Sequence, residues 1–363
     1  MRTSRCFISI LGVVTASVVF GMVAPCTAQS LKYTIQEIGA LQGGSSIGRA
    51  LGPTGETVGH SGFNHAIGEA FVWLPGQAIQ SLGTLPGGED SKAFGINALG
   101  QVVGYSNTRD SLRAFLWTRG RGMKDLGTLP GDVSSKAFGI NNAGQVVGSS
   151  SGRNGTRAFL WDSRTGMKSL GGLPGIRQSE AIAINSSGQV VGRCSGTLGT
   201  FAFLWTAKTG MQSLGTLPGD NSSRALAIND AGQVIGASTG VGRTRAFLYV
   251  PSDGMLDLGN LPGGDYSEAD ALNNAGQVVG ASGSALGTRA FLWTREQGMQ
   301  DLNTLVPSGS GVILSGAFGI NDRGQITAFG DVHHDLEHDR KVEFDTGKHS
   351  GPTHVFLLTP SIR

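Results

Sequence analysis

His334-Asp-Leu-Glu-His338 is the segment whose residue types come nearest to a reactive pattern. It matches the H-x-x-E-H of one class of zinc peptidase, where two imidazoles hold the ion and a carboxylate works beside it. That chemistry needs the motif on a helix inside a large α/β domain, with a distant third ligand. The surrounding chain offers neither, so a peptidase is not expected. A modest metal role ranks above a peptidase, and a merely solvated polar loop ranks above both. Asp331 to Asp339 places three histidines and four acids within nine residues. His334 and His338, assisted by Glu337 or Asp335, are the candidate ligands for weak binding of a divalent transition ion such as Zn²⁺.

Other reactive patterns are weaker. Gly-x-Ser-x-Gly occurs at Gly44–Gly48, Gly148–Gly152 and Gly236–Gly240. A nucleophile elbow requires a strand, a sharp turn and a helix. These copies are expected in loops of a helix-free chain, where abundant Gly and Ser generate the pattern by chance. No P-loop, dinucleotide fingerprint or Cys-x-x-Cys pattern is present, and no catalytic residue is assigned.

The elements that must carry these residues follow from a repeat. Seven units align on Gly55, Gly100, Gly144, Gly188, Gly232, Gly276 and Gly324, spaced by 45, 44, 44, 44, 44 and 48 residues. Unit three reads Ser135-Lys-Ala-Phe-Gly-Ile-Asn141, Gly144-Gln-Val-Val-Gly148, Arg157-Ala-Phe-Leu-Trp161 and Gly166-Met-Lys-Ser-Leu-Gly171. Each segment is short, rich in β-branched or aromatic residues and bounded by turn formers, so each predicts a strand, here a, b, c and d. Four antiparallel strands in about 44 residues is the spacing of propeller blades. Unit seven stops one strand short, while Ile35 to Leu41 matches strand d and has no unit of its own. The expectation is an all-β, seven-bladed β-propeller of four-stranded blades, closed by the N-terminal strand in the last blade.

Within that frame most singular residues are structural. All five tryptophans fall at the end of strand c, and Met123, Met167, Met211, Met255 and Met299 start strand d, so both series are expected in the core. Arg113, Arg157, Arg245 and Arg289 open strand c, and Asp125, Asp257 and Asp301 in strand d occur only in units with that Arg. His354 and Glu37 take the two places in the closing blade. Cross-strand ion pairs are expected.

Residues 1–28 read as a cleaved signal peptide: Arg2 and Arg5, then an uncharged apolar run from Phe7 to Val23, then small residues before Gln29. The run is short for a membrane span. Residues 29–363 form the repeat domain, exported to the periplasm or beyond. The chain holds 28 Lys+Arg and 26 Asp+Glu, and loss of Arg2 and Arg5 balances them, which argues against nucleic acid as partner. Cys194 is then the sole cysteine, so the core must hold the fold without a disulfide.

Gly-Ile-Asn-x-x-Gly-Gln-Val-Val-Gly, Arg-Ala-Phe-Leu-Trp and Gly-Met-x-Asp/Ser-Leu-Gly resemble the HAF repeat family of extracellular bacterial proteins. The resemblance spans nearly the whole mature chain, though four units have Arg-Ala-Phe and only His354-Val-Phe356 keeps the histidine. It implies secretion and the repeat, and no defined activity.

Function is expected on one rim. In a propeller the d–a and b–c loops share one face; here the b–c loops differ from unit to unit while the a–b turns are nearly uniform. The leading expectation is a monomeric, secreted, non-catalytic binding module for a protein or glycan. The alternative is a propeller enzyme of lyase, lactonase or glycosidase type, with a metal or carboxylates (Glu89, Asp90, Asp132, Asp220, Asp265) at the tunnel mouth.

Overall fold

The computed structural model describes residues 31–41, 44–63, 67–197, 199–332 and 354–361. Residues 1–28, expected to be a signal peptide, and the metal candidates His334, Asp335, Glu337 and His338 lie outside the described residues.

Seven four-stranded antiparallel sheets stand around a central tunnel, each ordered a-b-c-d from the tunnel outward. Blade three shows the pattern: strand a Asp132–Ile140, b Val146–Gly152, c Gly155–Asp162 and d Gly166–Gly171. The a–b turn closes on Gly144 at φ +76°, a left-handed conformation that costs a side chain strain and glycine none. In blade seven, strands Val312–Ile320, Ile326–Val332 and His354–Ser361 are completed by the N-terminal strand Lys32–Glu37, paired antiparallel from Lys32 opposite Ser361 to Glu37 opposite Phe356. No helix among the described residues is long and apolar enough to cross a membrane.

The core lies between blades. Phe71, Phe115, Phe159, Phe203, Phe247 and Phe291, one per blade on strand c, are completely buried. Trp161 and Met167 pack against residues of blade two, such as Val103, Ala114 and Leu129. The tryptophan and methionine series are therefore interior packing.

Buried serines join neighbouring blades. Ser135 Oγ on strand a of blade three accepts from the Ala114 amide of blade two at 3.0 Å and donates to the Gly127 carbonyl at 2.6 Å. Ser91, Ser179, Ser223 and Ser267 repeat both contacts. A second series on strand b, including Ser150 and Ser238, accepts from the Leu129 and Leu217 amides at 3.0 Å. Cys194 occupies that place in blade four and is buried.

These contacts correct one expectation. Each Gly-x-Ser-x-Gly copy lies on a strand rather than a loop, and its serine (Ser46, Ser150 or Ser238) is buried and engaged with backbone. An inter-blade serine flanked by glycines produces the pattern.

Candidate functional site: the tunnel wall

Strand a carries a β-bulge in every blade. In blade two Ala93 faces Gly104 and Gly95 faces Val103, so Phe94 has no partner of its own. The same shift sets out Arg49, Phe138, Ile182, Leu226, Asp270 and Phe318. A bulge re-aims the extra side chain. Here all seven line one cavity of about 330 Å³ at mid-tunnel. They form a collar, apolar except for Arg49 and Asp270.

Four rings stack along the tunnel, as the order of residues on strand a requires. At the a–b mouth, Asn97, Asn141, Asn185, Asn229, Asn273 and Asn321 are buried, and each side-chain amide donates to a carbonyl of the next blade at 3.0–3.2 Å. Blade one closes this belt through the Gly52 carbonyl. Next comes a ring of Ile or Leu, such as Ile96 and Leu272, then the collar. One pleat further, toward the d–a and b–c loops, stand Ile47, Lys92, Lys136, Glu180, Arg224, Glu268 and Gly316. The blades are thus near-identical at one mouth, while at the other no residue type occurs more than twice among the seven.

The unlike end is electrostatically organised. Arg224 of blade five pairs with Glu268 of blade six at 2.7 Å, and the Tyr266 hydroxyl donates to Glu268 at 3.0 Å. Glu180 pairs with Arg193 within blade four. Lys136 Nζ lies 5.0 Å from the Tyr105 ring centroid, in range of a cation–π attraction. In the collar, Arg49 lies over the Phe94 and Phe318 rings at 5.9 and 5.1 Å, with its Nε buried and without a hydrogen-bond partner.

Burial pushes the Asp270 carboxyl well above its ordinary value; Glu268 adds to the shift, while Arg224 and Arg49 oppose it. The sign matters for stability. A raised carboxyl favours folding only while protonated, so its contribution falls as pH climbs from the unfolded value near 3.9 toward the folded one. Asp270→Asn, which resembles the neutral form, should therefore raise the denaturation midpoint at pH 7 and leave it unchanged below about pH 4. Equal midpoints at both pH values would show that Asp270 is not desolvated.

Three of the acids named for the alternative, enzymatic reading are engaged separately, as their scattered pattern in the sequence suggests. Asp90 accepts from the Gly68 amide at 3.0 Å. Asp132 and Asp220 are tied to arginines, at 2.9 Å to Arg157 and to both Arg243 and Arg245. Burial opposes the Asp220 charge, but hydrogen bonds from Ser238, Arg245 and Arg243 outweigh it and hold the carboxyl below its ordinary value. Among the described residues no three His, Cys, Asp or Glu side chains gather into a metal-sized group.

The Arg–acid pairs of strands c and d hold in part. Arg245–Asp257 and His354–Glu37 meet at 2.6 Å. Arg113–Asp125 and Arg289–Asp301 do not come within ion-pair distance. Asp125 and Asp301 instead accept from the amides of Gly127 and Asn303 at 2.8 and 2.9 Å, as Ser169 does from Gly171 at 3.2 Å. The strand-d acid is first a turn cap, which Asp or Ser serves equally. The main partner of the strand-c Arg, where one forms, is the acid of the d–a loop entering its own blade, as in Arg157–Asp132 and Arg245–Asp220. In blade four those two places hold Phe201 and Ile176, which belong to one apolar cluster.

No family model and no curated protein matches this sequence. Among solved structures, virginiamycin B lyase from Staphylococcus aureus is similar with a TM-score of 0.56 at 13% identity, over 90% of this chain and 99% of that one. YCF48 bound to D1 peptide gives a TM-score of 0.52 at 11% identity, over 90% and 96%. TolB from Acinetobacter baumannii gives 0.50 at 10% identity over 68% of this chain, which spans only 63% of that one. The likeness is one of fold: a propeller.

Proposed function

We propose that this chain is an exported, non-catalytic recognition propeller that binds a protein or glycan partner at the tunnel mouth on the d–a/b–c face. The supporting observation is where the internal repeat breaks. Packing, turns and the asparagine belt recur from blade to blade, so side chains that serve only the fold are repeated. At the places of Arg49, Lys92, Lys136, Glu180, Arg224, Glu268 and Asp270 no charged residue type recurs in more than two blades, and Arg49 and Asp270 line the mid-tunnel cavity. The b–c loops, whose sequences also vary, open on the same face. A rigid scaffold presenting non-equivalent groups around one axis suits the capture of an asymmetric partner. The insertion carrying His334 and His338 leaves strand b at Val332 and re-enters strand c at His354, both on this face, so weak Zn²⁺ binding there belongs to the same reading.

Glycan arrays and displayed peptide libraries probed with the parent protein test this reading. A ligand so found should be lost, by at least about tenfold in affinity, in Lys92→Glu/Lys136→Glu, which reverses charge at the mouth. It should persist in Asn142→Ala/Arg323→Ala at the opposite face. The reverse order of sensitivity would place recognition on the a–b rim and sink the proposal.

A further inference from the structure

We propose that the groove between blades three and four is a second binding site, for a carboxylated (uronate-type) glycan. It is an open groove of about 880 Å³ on the outer part of the d–a/b–c rim, and Arg153, Arg157 and Arg177 all line it. The volume lies within the range of small-ligand sites.

The charge there follows from the way unit four departs from the repeat. Arg157 is braced from behind: its guanidinium contacts Asp132, whose side chain is 1% exposed, at 2.9 Å and donates to the Pro130 carbonyl at 3.1 Å. The loop entering blade four carries Ile176-Arg177-Gln178 where the loops entering blades two, three, five and six supply an acid. No carboxylate lines the groove. Arg153 and Arg177 are exposed and form no ion pair among the described residues. By contrast, Arg243 and Arg245, on the rim of blade five, share Asp220, and Arg245 also pairs with Asp257. Three guanidiniums around one cavity, with a single acid behind one of them, suit bidentate capture of an anionic carboxylate.

The rest of the lining selects a sugar over a peptide. Gly171, Gly172 and Gly175 expose backbone, and Ser169 and Asn154 add a hydroxyl and an amide. These are partners for sugar hydroxyls. Leu173 and Ile176 are 7% and 8% exposed, leaving no open apolar pocket of the kind peptide side chains need for anchorage.

Calorimetry with trigalacturonate decides the matter, with galactotriose and triglutamate as comparison probes. The parent should bind trigalacturonate, more weakly as salt rises, and should bind neither comparison probe measurably. Arg153→Ala/Arg177→Ala should weaken binding about tenfold or more without changing the thermal midpoint, because both side chains are exposed. Lys92→Glu/Lys136→Glu should bind as the parent does, so failure of the tunnel-mouth reading leaves this one standing, and the converse. No binding of trigalacturonate, equal binding of triglutamate, or an arginine double variant that binds like the parent would each overturn the assignment.

Discussion

Deleting Leu31–Leu41 should cause loss of solubility or a large fall in the melting temperature. The strand Lys32–Glu37 is the whole outer edge of blade seven, and its six register pairs with His354–Ser361 would be lost together. It also ties blade seven to blade six, because the Tyr33 amide donates to the Leu305 carbonyl at 2.9 Å and the Lys32 ammonium to the Thr304 carbonyl at 2.9 Å. Tyr33 is 1% exposed and packs in the largest apolar cluster of the molecule; burial pushes its phenol up to about 12. Ile38 is buried in the cluster between blades seven and one. Each such side chain contributes about 1.5–3 kcal/mol, and the ladder is lost as well, so the sum approaches the 5–15 kcal/mol margin typical of a folded protein. The deletion also bares strand His354–Ser361 as an open edge, which invites aggregation. Chemical denaturation and gel filtration check this. A synthetic peptide of residues 31–41 added in trans should restore solubility if the strand acts by completing the blade. A soluble deletion variant with the parent's midpoint would refute closure by this strand.

The second large effect is expected from Gly148→Ala, a single methyl on strand b. The bulge in strand a turns the Lys136 carbonyl toward Gly148. A Cβ there would sit inside the van der Waals radius of that oxygen and 2.9 Å from the Ala137 Cα. Gly59, Gly104, Gly192, Gly236 and Gly280 meet the corresponding carbonyls of their own blades in the same way, whereas blade seven holds Ala328 at this place, opposite Ala317. Both strands are hemmed in by neighbours and the atom struck is backbone, so the clash cannot be relieved by a rotamer change. The cost should be about 3 kcal/mol. Gly76→Ala is the control: it lies at φ +77° in the c–d turn with nothing within 4 Å of its Cβ. Backbone strain alone should cost it about 1 kcal/mol. Urea denaturation of both variants separates the two mechanisms, and equal losses would show that the close approach is not what demands glycine in Gln-Val-Val-Gly.

The collar and the groove escaped the linear reading for a physical reason. The strand pattern small-x-small around Phe94, Phe138, Ile182, Leu226, Asp270, Phe318 and Arg49 was visible as a variable position between Ala or Gly neighbours. Alternation along a strand assigns such a residue to one face of a sheet, yet it contains no term for a bulge, which depends on pairing with strand b. Two of the arginine pairs, Arg113–Asp125 and Arg289–Asp301, were misassigned by the same limit, while Arg245–Asp257 forms. Asp125, Asp257 and Asp301 lie on the adjacent strand, and proximity in the ladder favoured them. The d–a loop folds back over strand c in three dimensions and brings Asp132 to Arg157 and Asp220 to Arg245, where Asp220 joins the strand-d Asp257. Replacement of that pair by Ile176 and Phe201 in unit four was present in the letters, but its meaning depended on knowing that the two positions touch.

What the sequence by itself determined is everything that depends on local, repeated chemistry. Glycine at the left-handed turn, β-branched runs of strand length and a missing final strand matched by an orphan first one are properties of short segments, and repetition multiplies their signal seven times. Only the tertiary structure decided which side chains share the tunnel, which acid neutralises which arginine, and where positive charge is left over. Those are differences among blades, carried by single residues whose neighbours come from loops and strands far away in the chain. A repeat averages such differences out, whereas closing the ring brings them to one axis, where their fields and contacts add.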